Sequence, residues 1–401
     1  MKRKLPFSNE TPSPPQSPER RRFLSTLAAL SVLPAGLSFA RVDNASKGVS
    51  RRLILIELAG GNDGLNTVIP FSQKRYYEAR PVLGIPREQT VVLNAQLGLH
   101  PQLAPLNDAW RNNDLHIALG VGYPDPNRSH FRSSDIWHTA SGSDKVLKRG
   151  WLADSFPSAQ SAAFSAEGIA FGTGYGPFLG SSQSLVLDNP VVFAKQAKLM
   201  RPASAPPGNP ALTHVVNVRQ QIARGLKDLS AVIDARKGKQ IKGSSLHKQL
   251  VVASEMIALG ARVPMYKATL TGFDTHFYQP NRHNKLMEEL GTELATLRER
   301  LMASGDWENT LVMTYSEFGR RAAENGSRGT DHGTAAPVIL MGGRVKGGFS
   351  GQQPVFPAHD DEDLAFHLDY RRLYRTVAQQ WLGASDAAAA LRGFEPIDLI
   401  R

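Results

Sequence analysis

Short apolar runs recur along the chain from residue 53 onward, separated by polar and glycine-rich segments. The first run, Leu53–Leu58, lies between basic residues and Ala59-Gly60-Gly61. A run of this length predicts a strand that is buried on both faces, as in parallel sheets. Further strands are predicted at Val91–Leu93, Leu115–Val121, Met265–Leu270, Thr310–Tyr315 and Pro337–Met341.

Apolar residues at helical spacing separate several of these strands. Asn281–Ala303 shows the pattern clearly, because Leu286, Leu290 and Leu294 fall on one face. Other helices are predicted at Pro101–Asn112, Phe131–Thr139, Thr213–Leu259 with a break near residues 237–245, and Leu364–Leu382, with Gly383 as the C-cap. Alternating strands and helices are typical of α/β proteins, so we predict a mostly parallel central sheet flanked by helices.

Residues 141–210 are rich in Gly, Ser, Ala and Pro and show little periodicity, which predicts irregular structure with short strands. Neither an internal repeat nor a linker is evident within residues 51–401. We therefore predict a single domain over residues 41–401.

The first 40 residues have the composition of an export signal. Residues 5–18 are rich in Pro, Ser and Thr, which favours disorder. Arg20-Arg21-Arg22-Phe23-Leu24 then precedes an uncharged, mostly apolar run that ends in small residues at Ala40. The paired arginines resemble the twin-arginine signature, so we expect the twin-arginine translocase as a transient partner and a periplasmic or secreted protein. The apolar run is too short for a stable membrane span.

Composition narrows the chemistry further. The sequence has no cysteine, which excludes disulfides, thiolate metal sites and a thiol nucleophile. The net charge is +11, of which about +4 falls in residues 1–40. The remaining excess favours anionic substrates or a membrane surface. Neither zinc-finger spacing nor a basic stripe with interleaved aromatic residues is present, so we expect no nucleic-acid partner.

Acidic residues and histidines follow three of the predicted strands and lie just before the predicted strand Pro337–Met341. Because the carboxyl ends of parallel strands meet at one edge of a sheet, we expect these side chains to converge. They are Asp63, Asp274, His276, Glu317, Asp331 and His332. Carboxylate and imidazole ligands suit zinc, manganese or iron. The pattern therefore predicts a divalent metal centre, with zinc or manganese as the ion.

Each motif alone also has a simpler interpretation. Asp63 lies among glycines and can be an ordinary turn aspartate. Asp274 can cap a helix beside a surface histidine. The metal interpretation depends on all the motifs occurring together.

The segment Arg128-Ser129-His130 lies between a predicted strand and the predicted helix that begins at Phe131. A serine at a helix N-terminus lies in positive potential, which makes Ser129 a candidate nucleophile, with a plain N-cap as the alternative. Arg128 is a candidate clamp for an oxyanion or simply an exposed arginine. His130 is a candidate ligand or general acid, or else a packed or solvated ring.

Together these motifs resemble the domain of unknown function 1501 family, whose bacterial members typically carry twin-arginine signals. The resemblance extends from about Leu53 to Gly383 and rests on five motifs: Glu57–Asn66, Arg128–Phe131, Gly272–His276, Tyr315–Arg320 and Asp331–Gly333. That family is similar in fold to the alkaline phosphatase and sulfatase superfamily, a three-layer sandwich with two metals at the strand ends.

The resemblance implies a role for several residues. Asp63 matches the metal-binding acid after the first strand, and Ser129 matches the nucleophile. Asp274, His276 and His332 match one metal site, and Glu317 matches the acid of an Asp-His pair. Phe318 stands where the second metal would need a histidine, so we expect one complete site and one incomplete site.

We therefore expect a metal-dependent hydrolase of phosphate or sulfate esters that acts on a small anionic substrate outside the cytoplasm. The alternative is a catalytically inactive exported protein that uses the same fold as a metal-stabilised binding or structural element.

Overall fold

A computed structural model describes residues 49–155, 164–172, 174–181, 183–188, 239–353, 355–357, 359, 362–384 and 388–401, together with 212, 213, 216, 220, 223, 228–232 and 234–236. The predicted export signal in residues 1–40, and most of residues 189–227, lie outside the described residues. The boundary near Ala40 and the single mature domain stay predictions.

Twelve strands occur in the described residues: β1 (Arg52–Ala59), β2 (Val68–Ile69), β3 (Val91–Val92), β4 (Gly98–Leu99), β5 (Leu115–Gly122), β6 (Gly168–Phe171), β7 (Ser184–Leu187), β8 (Met265–Thr271), β9 (Thr310–Tyr315), β10 (Ala336–Met341), β11 (Gly348–Gly351) and β12 (Leu368–Asp369). The central sheet has the order β11-β5-β10-β9-β1-β8-β6-β7, and β12 also pairs with β5. Strand β10 is antiparallel to both neighbours, and the other pairs are parallel. The mostly parallel sheet is confirmed.

The α-helices in the described part are α1 (Gly64–Thr67), α2 (Lys74–Ala79), α3 (Asn107–Arg111), α4 (His130–Thr139), α5 (Trp151–Ser155), α6 (Ser245–Ala258), α7 (Gln279–Ala303) and α8 (Tyr370–Thr376). A π-helical segment, Val377–Trp381, extends α8. Among these described elements, no helix has the length and apolar character needed to cross a bilayer.

Alternate residues of β1 pack into two different cores, which explains its uninterrupted apolar run. Ile54 and Ile56 belong to the core that α6 and α7 cover, whereas Leu53 and Leu55 belong to the core that α4 and α8 cover. A strand with helices on both faces must be apolar at consecutive positions. The sheet is therefore the middle of three layers.

The structure differs from the predicted elements in three places. Val91–Val92 belongs to a separate small antiparallel sheet, β2-β4-β3. The predicted helix from Pro101 is 3₁₀ as far as Leu106, because Pro105 lacks the N–H that an α-helix needs. The closing helix begins only at Tyr370, where the Asp369 carboxylate caps it.

The topology also brings the polar motifs together. Strands β9, β1 and β8 are adjacent and parallel, so the loops that follow them leave the sheet side by side. These loops carry Glu317, Gly60 and Asp274, respectively. Helix α4, which follows β5, begins at His130 in the same region, as its contacts show.

Candidate metal centre

Oδ1 of Asp274 is the point on which three imidazole rings converge. The Nε2 atoms of His276, His332 and His130 lie 3.1, 3.3 and 3.6 Å from this oxygen, respectively. The Nε2 atoms of His276 and His332 are 2.9 Å apart. We call these four residues the histidine–aspartate cluster. Three of them, His130, Asp274 and His332, offer ligand atoms that all lie within 4.8 Å of one another.

The other ring nitrogen, Nδ1, of each histidine lies next to an oxygen that can only accept a hydrogen bond. The acceptors are Glu317 Oε1 for His130 (2.8 Å), the Arg128 carbonyl oxygen for His332 (2.9 Å) and Asp331 Oδ1 for His276 (3.3 Å). Each Nδ1 must therefore carry a hydrogen, and a neutral ring then has its lone pair on Nε2.

Lone pairs that face one another and a carboxylate oxygen at these distances repel unless a proton or a cation lies between them. Although burial raises the pKa of Asp274, the hydrogen bond and charge of Arg320, followed by His332 and His276, lower it to about 2. The carboxylate is therefore ionised at neutral pH.

The spacing of these atoms also suits a metal ion. Zinc binds imidazole nitrogen and carboxylate oxygen at about 2.0–2.2 Å, so adjacent ligands of a tetrahedral ion lie about 3.3 Å apart. The four distances measured within the cluster run from 2.9 to 3.6 Å. The donor set and these spacings therefore fit a transition metal at His130, Asp274 and His332, whose ligand atoms all lie within 4.8 Å of one another.

Arg320 holds the loops around the cluster, a role that the sequence motifs do not predict. Its guanidinium is buried, with 1 % of the residue exposed. It donates to Asp274 Oδ1 at 2.8 Å. It also donates to four carbonyl oxygens in the loops after β1 and β8 and before β10, those of Gly60, Gly61, Phe273 and Thr330. The signal in the sequence was its place in the loop that follows a buried strand, within the Tyr315–Arg320 motif.

Glu317 and Phe318 lie behind the histidine rings. The buried Glu317 accepts the Gly60 N–H at 2.8 Å in addition to the bond from His130. The Phe318 ring centroid lies 4.9 Å from that of His130 and 4.6 Å from that of His332. Glu317 thus orients His130, as partners of metal-binding histidines commonly do. Its contact is with Nδ1 of that ring, on the side away from Asp274 Oδ1.

Gly61 makes this arrangement possible. Its φ is +74°, and a Cβ at this position would lie 2.3 Å from the Phe318 ring. Only glycine therefore allows the β1 loop to pass so close to the ring.

The structure differs from the expectation at Asp63. This carboxylate is completely buried and receives a 2.6 Å ion-pair contact from Arg80 Nη1. Gln279 donates to the same oxygen, and the other oxygen caps α1 through the Asn66 N–H at 3.4 Å. Burial raises the pKa of Asp63, but Arg80 outweighs it and keeps that pKa below its usual value. With both oxygens engaged, Asp63 stabilises a turn and is not part of the cluster.

Ser129 and Arg128 lie at the edge of the cluster. Ser129 precedes α4 at the N-cap position, but its side chain makes no capping hydrogen bond, and the residue is exposed. Arg128 is partly exposed, and its Nη2 lies 3.0 Å from Asp363 Oδ2. The exposed hydroxyl is thus one residue from His130. Asp331, which orients His276, is itself half-exposed.

The fold and the cluster define an α/β protein with a candidate metal centre at the carboxyl ends of its parallel strands. The family described as "Protein of unknown function (DUF1501)" matches residues 217–392. Over this stretch the chain is similar to that family, the one that its motifs resemble. The stretch includes Asp274, His276, Glu317, Arg320, Asp331 and His332, whereas the motifs around Asp63 and Ser129 precede it.

Solved structures similar to the chain include three with low sequence identity. The PsFucS1 sulfatase from Pseudoalteromonas sp. is 13 % identical, with 95 % of this chain and 75 % of that chain covered and a TM-score of 0.38. The C-terminal periplasmic domain of EcEptC from Escherichia coli in complex with Zn is 12 % identical, with 74 % of each chain covered and a TM-score of 0.35. A protein in the alkaline phosphatase superfamily from Vibrio parahaemolyticus is 11 % identical, with 87 % and 69 % covered and a TM-score of 0.37. No curated protein matches the chain.

Proposed function

We propose that this chain is a divalent-metal-dependent hydrolase of phosphate or sulfate esters that acts outside the cytoplasm. One observation carries the proposal. Three histidines direct Nε2 lone pairs at a single ionised carboxylate oxygen, and an acceptor fixes the Nδ1 hydrogen of each ring.

His130, Asp274, His276 and His332 would hold the ion, and Glu317 and Asp331 would orient two of the rings. When bound, the ion would stabilise negative charge that develops on the ester group. The buried Arg320 would keep Asp274 in place and ionised, because it fixes the same oxygen through a 2.8 Å hydrogen bond. The sequence predicts Glu317 and Asp331 as metal ligands. In this proposal they orient the His130 and His276 rings instead.

Ser129 is the proposed nucleophile. Its hydroxyl is exposed, caps no backbone N–H and lies at the positive end of α4, next to His130. Its Oγ would form the bond to phosphorus or sulfur as the bond to the leaving oxygen breaks, and its proton would pass to solvent. Water would later hydrolyse the serine ester. Arg128, immediately before it, would bind a non-bridging oxygen of the substrate.

A second candidate function is binding without catalysis, with the metal as a structural element. The observation that favours it is the state of Asp63, since the Arg80 ion pair occupies the acid expected to hold a second ion. A single ion at the cluster can stabilise the loops without supporting turnover.

Hydrolysis of aryl phosphates, phosphodiesters and aryl sulfates by metal-loaded protein tests the choice. The hydrolase proposal predicts turnover that Ser129→Ala abolishes while metal content is unchanged. The matched control is Ser72→Ala, at an exposed turn position, which should retain turnover. No turnover of any ester by fully metal-loaded protein would favour the binding role.

Export is the remaining part of the proposal. The Arg20-Arg21-Arg22-Phe23-Leu24 segment and the apolar run that follows support transfer through the twin-arginine pathway. Replacement of Arg20, Arg21 and Arg22 by lysine should retain the protein in the cytoplasm, with total expression as the control. Unchanged export of this variant would contradict the proposed route.

A further inference from the structure

Exposed apolar side chains surround the histidine–aspartate cluster. Phe131, next to His130, is 91 % exposed, and Phe277 and Tyr278, which follow His276, are 54 % and 69 % exposed. Val146 is 74 % exposed in a nearby loop. Phenylalanine is among the residues most often buried, so a ring almost wholly in water is an informative exception.

The contacts place these side chains on neighbouring segments. The His130 and His332 ring centroids are 4.5 Å apart, and those of His276 and His332 are 4.6 Å apart, so Phe131 and Phe277 each follow a ring of the same cluster. The loop that carries Val146 lies against the first turn of α4. Arg132 in that turn donates to the carbonyl oxygens of Gly142 at 3.2 Å and Ser143 at 3.3 Å.

Basic residues accompany the apolar side chains. Lys145 and Lys148 are exposed on either side of Val146 in the loop. The Arg282 guanidinium lies 5.1 Å from the Phe277 ring centroid, and the exposed Arg328 accepts a backbone hydrogen bond from Gln279. Apolar side chains in water among cations are typical of surfaces that lie on anionic membranes.

We propose that this surface docks on the headgroup region of an anionic lipid bilayer. The docking surface consists of the apolar residues Phe131, Val146, Phe277 and Tyr278 and the cations Lys145, Lys148, Arg282 and Arg328. A phenylalanine ring offers no hydrogen bond to a polar partner, so removal from water is what it gains on docking. The cations select anionic headgroups, in keeping with the positive net charge of the chain.

Sedimentation of the full chain with phosphatidylglycerol vesicles and with phosphatidylcholine vesicles tests this proposal. We expect binding to the former that weakens about tenfold with Phe131→Ser and about a hundredfold with Phe131→Ser/Phe277→Ser. Lys145→Gln and Lys148→Gln should each weaken it about fivefold. Residues 1–48 are present in every variant, so their contribution to binding cancels in these comparisons.

Met302→Ser is the matched control. Met302 is 50 % exposed at the opposite end of α7, about 35 Å along the helix from Gln279. It should bind like the unmodified chain. Asp274→Ala should also bind normally, because docking is independent of metal and of hydrolysis. Equal binding by Phe131→Ser, equal loss with Met302→Ser, or binding to soluble dextran sulfate but not to vesicles would each overturn the proposal.

Discussion

Nη2 of Arg320 donates a 2.8 Å hydrogen bond to Oδ1 of Asp274, the same oxygen that the three histidines approach. One guanidinium thus fixes the position and ionisation of the carboxylate and, through Gly60, Gly61 and Thr330, the loops on either side. The cluster therefore depends on a residue that contacts none of its imidazole rings through a hydrogen bond in the described structure.

Replacement of Arg320 by methionine should destabilise the metal-free protein by about 3–5 kcal/mol, because buried carbonyl oxygens and the Asp274 charge lose their partner. Arg320→Lys should recover only part of this loss, since an ammonium group cannot reproduce the planar set of donors. Urea unfolding at neutral pH gives the free energy of unfolding of both variants. Unfolding midpoints equal to that of the unmodified chain would contradict the role of Arg320.

Glu317→Gln should weaken zinc affinity about 10–100-fold with little change in fold, because the amide holds the His130 ring less well than the carboxylate does. Competition with a chromophoric chelator gives the dissociation constant. The control is Glu299→Gln, at an exposed position of α7. Equal affinities for both variants would show that Glu317 does not orient His130.

Asp63→Asn should destabilise the protein by about 3–5 kcal/mol, because it leaves the Arg80 charge buried without its partner. Its metal stoichiometry should nevertheless equal that of the unmodified chain. Calorimetric unfolding and elemental analysis of the same sample separate the two effects. Loss of metal from a folded Asp63→Asn variant would restore Asp63 as a ligand.

The buried Glu57 carboxylate should make the free energy of unfolding fall in acid. Although burial raises its pKa, hydrogen bonds and charges from His138 and Lys267 lower that pKa from 4.5 to about 2. Because the folded-state value is depressed, its contribution is complete above about pH 4.5 and is lost as the pH falls through 2. Glu57 contributes about 3 kcal/mol to the free energy of unfolding.

The slope of unfolding free energy against pH between 4.5 and 2 measures this contribution. Glu57→Gln should flatten the slope in that interval, whereas Glu299→Gln, at an exposed site, should not. An unchanged slope in Glu57→Gln would show that other carboxylates cause the acid sensitivity.

The sheet could be predicted because its buried strands are apolar runs in the sequence. Thr310–Tyr315 is apolar at most positions and forms β9 with those same bounds. The start of the closing helix could not be predicted, since the Asp369 cap that begins it at Tyr370 is one polar residue among several. Strand order depends on contacts far apart in the chain, such as β1 between β8 and β9.

Part of the cluster could also be predicted from the sequence. Asp274 and His276 follow the parallel strand β8, whereas His332 precedes the antiparallel strand β10, whose first residues lie at the same edge of the sheet. The role of Asp63 was not predictable, because its partner Arg80 lies just after helix α2 and nothing in the motif indicates that contact. Metal ligands and the residues that orient them also look alike in sequence, and only the contact with His130 Nδ1 separates Glu317 from the proposed ligands.

The most direct test of the account is X-ray absorption spectroscopy of the zinc-loaded chain, with metal content measured on the same sample. We predict about one zinc ion per chain, coordinated by imidazole and carboxylate with three imidazole contributions, from one set of three histidines and one carboxylate. His130→Ala, His276→Ala and His332→Ala should each remove one imidazole contribution. A natively folded chain that binds no zinc, or a spectrum that none of these variants changes, would contradict the metal centre.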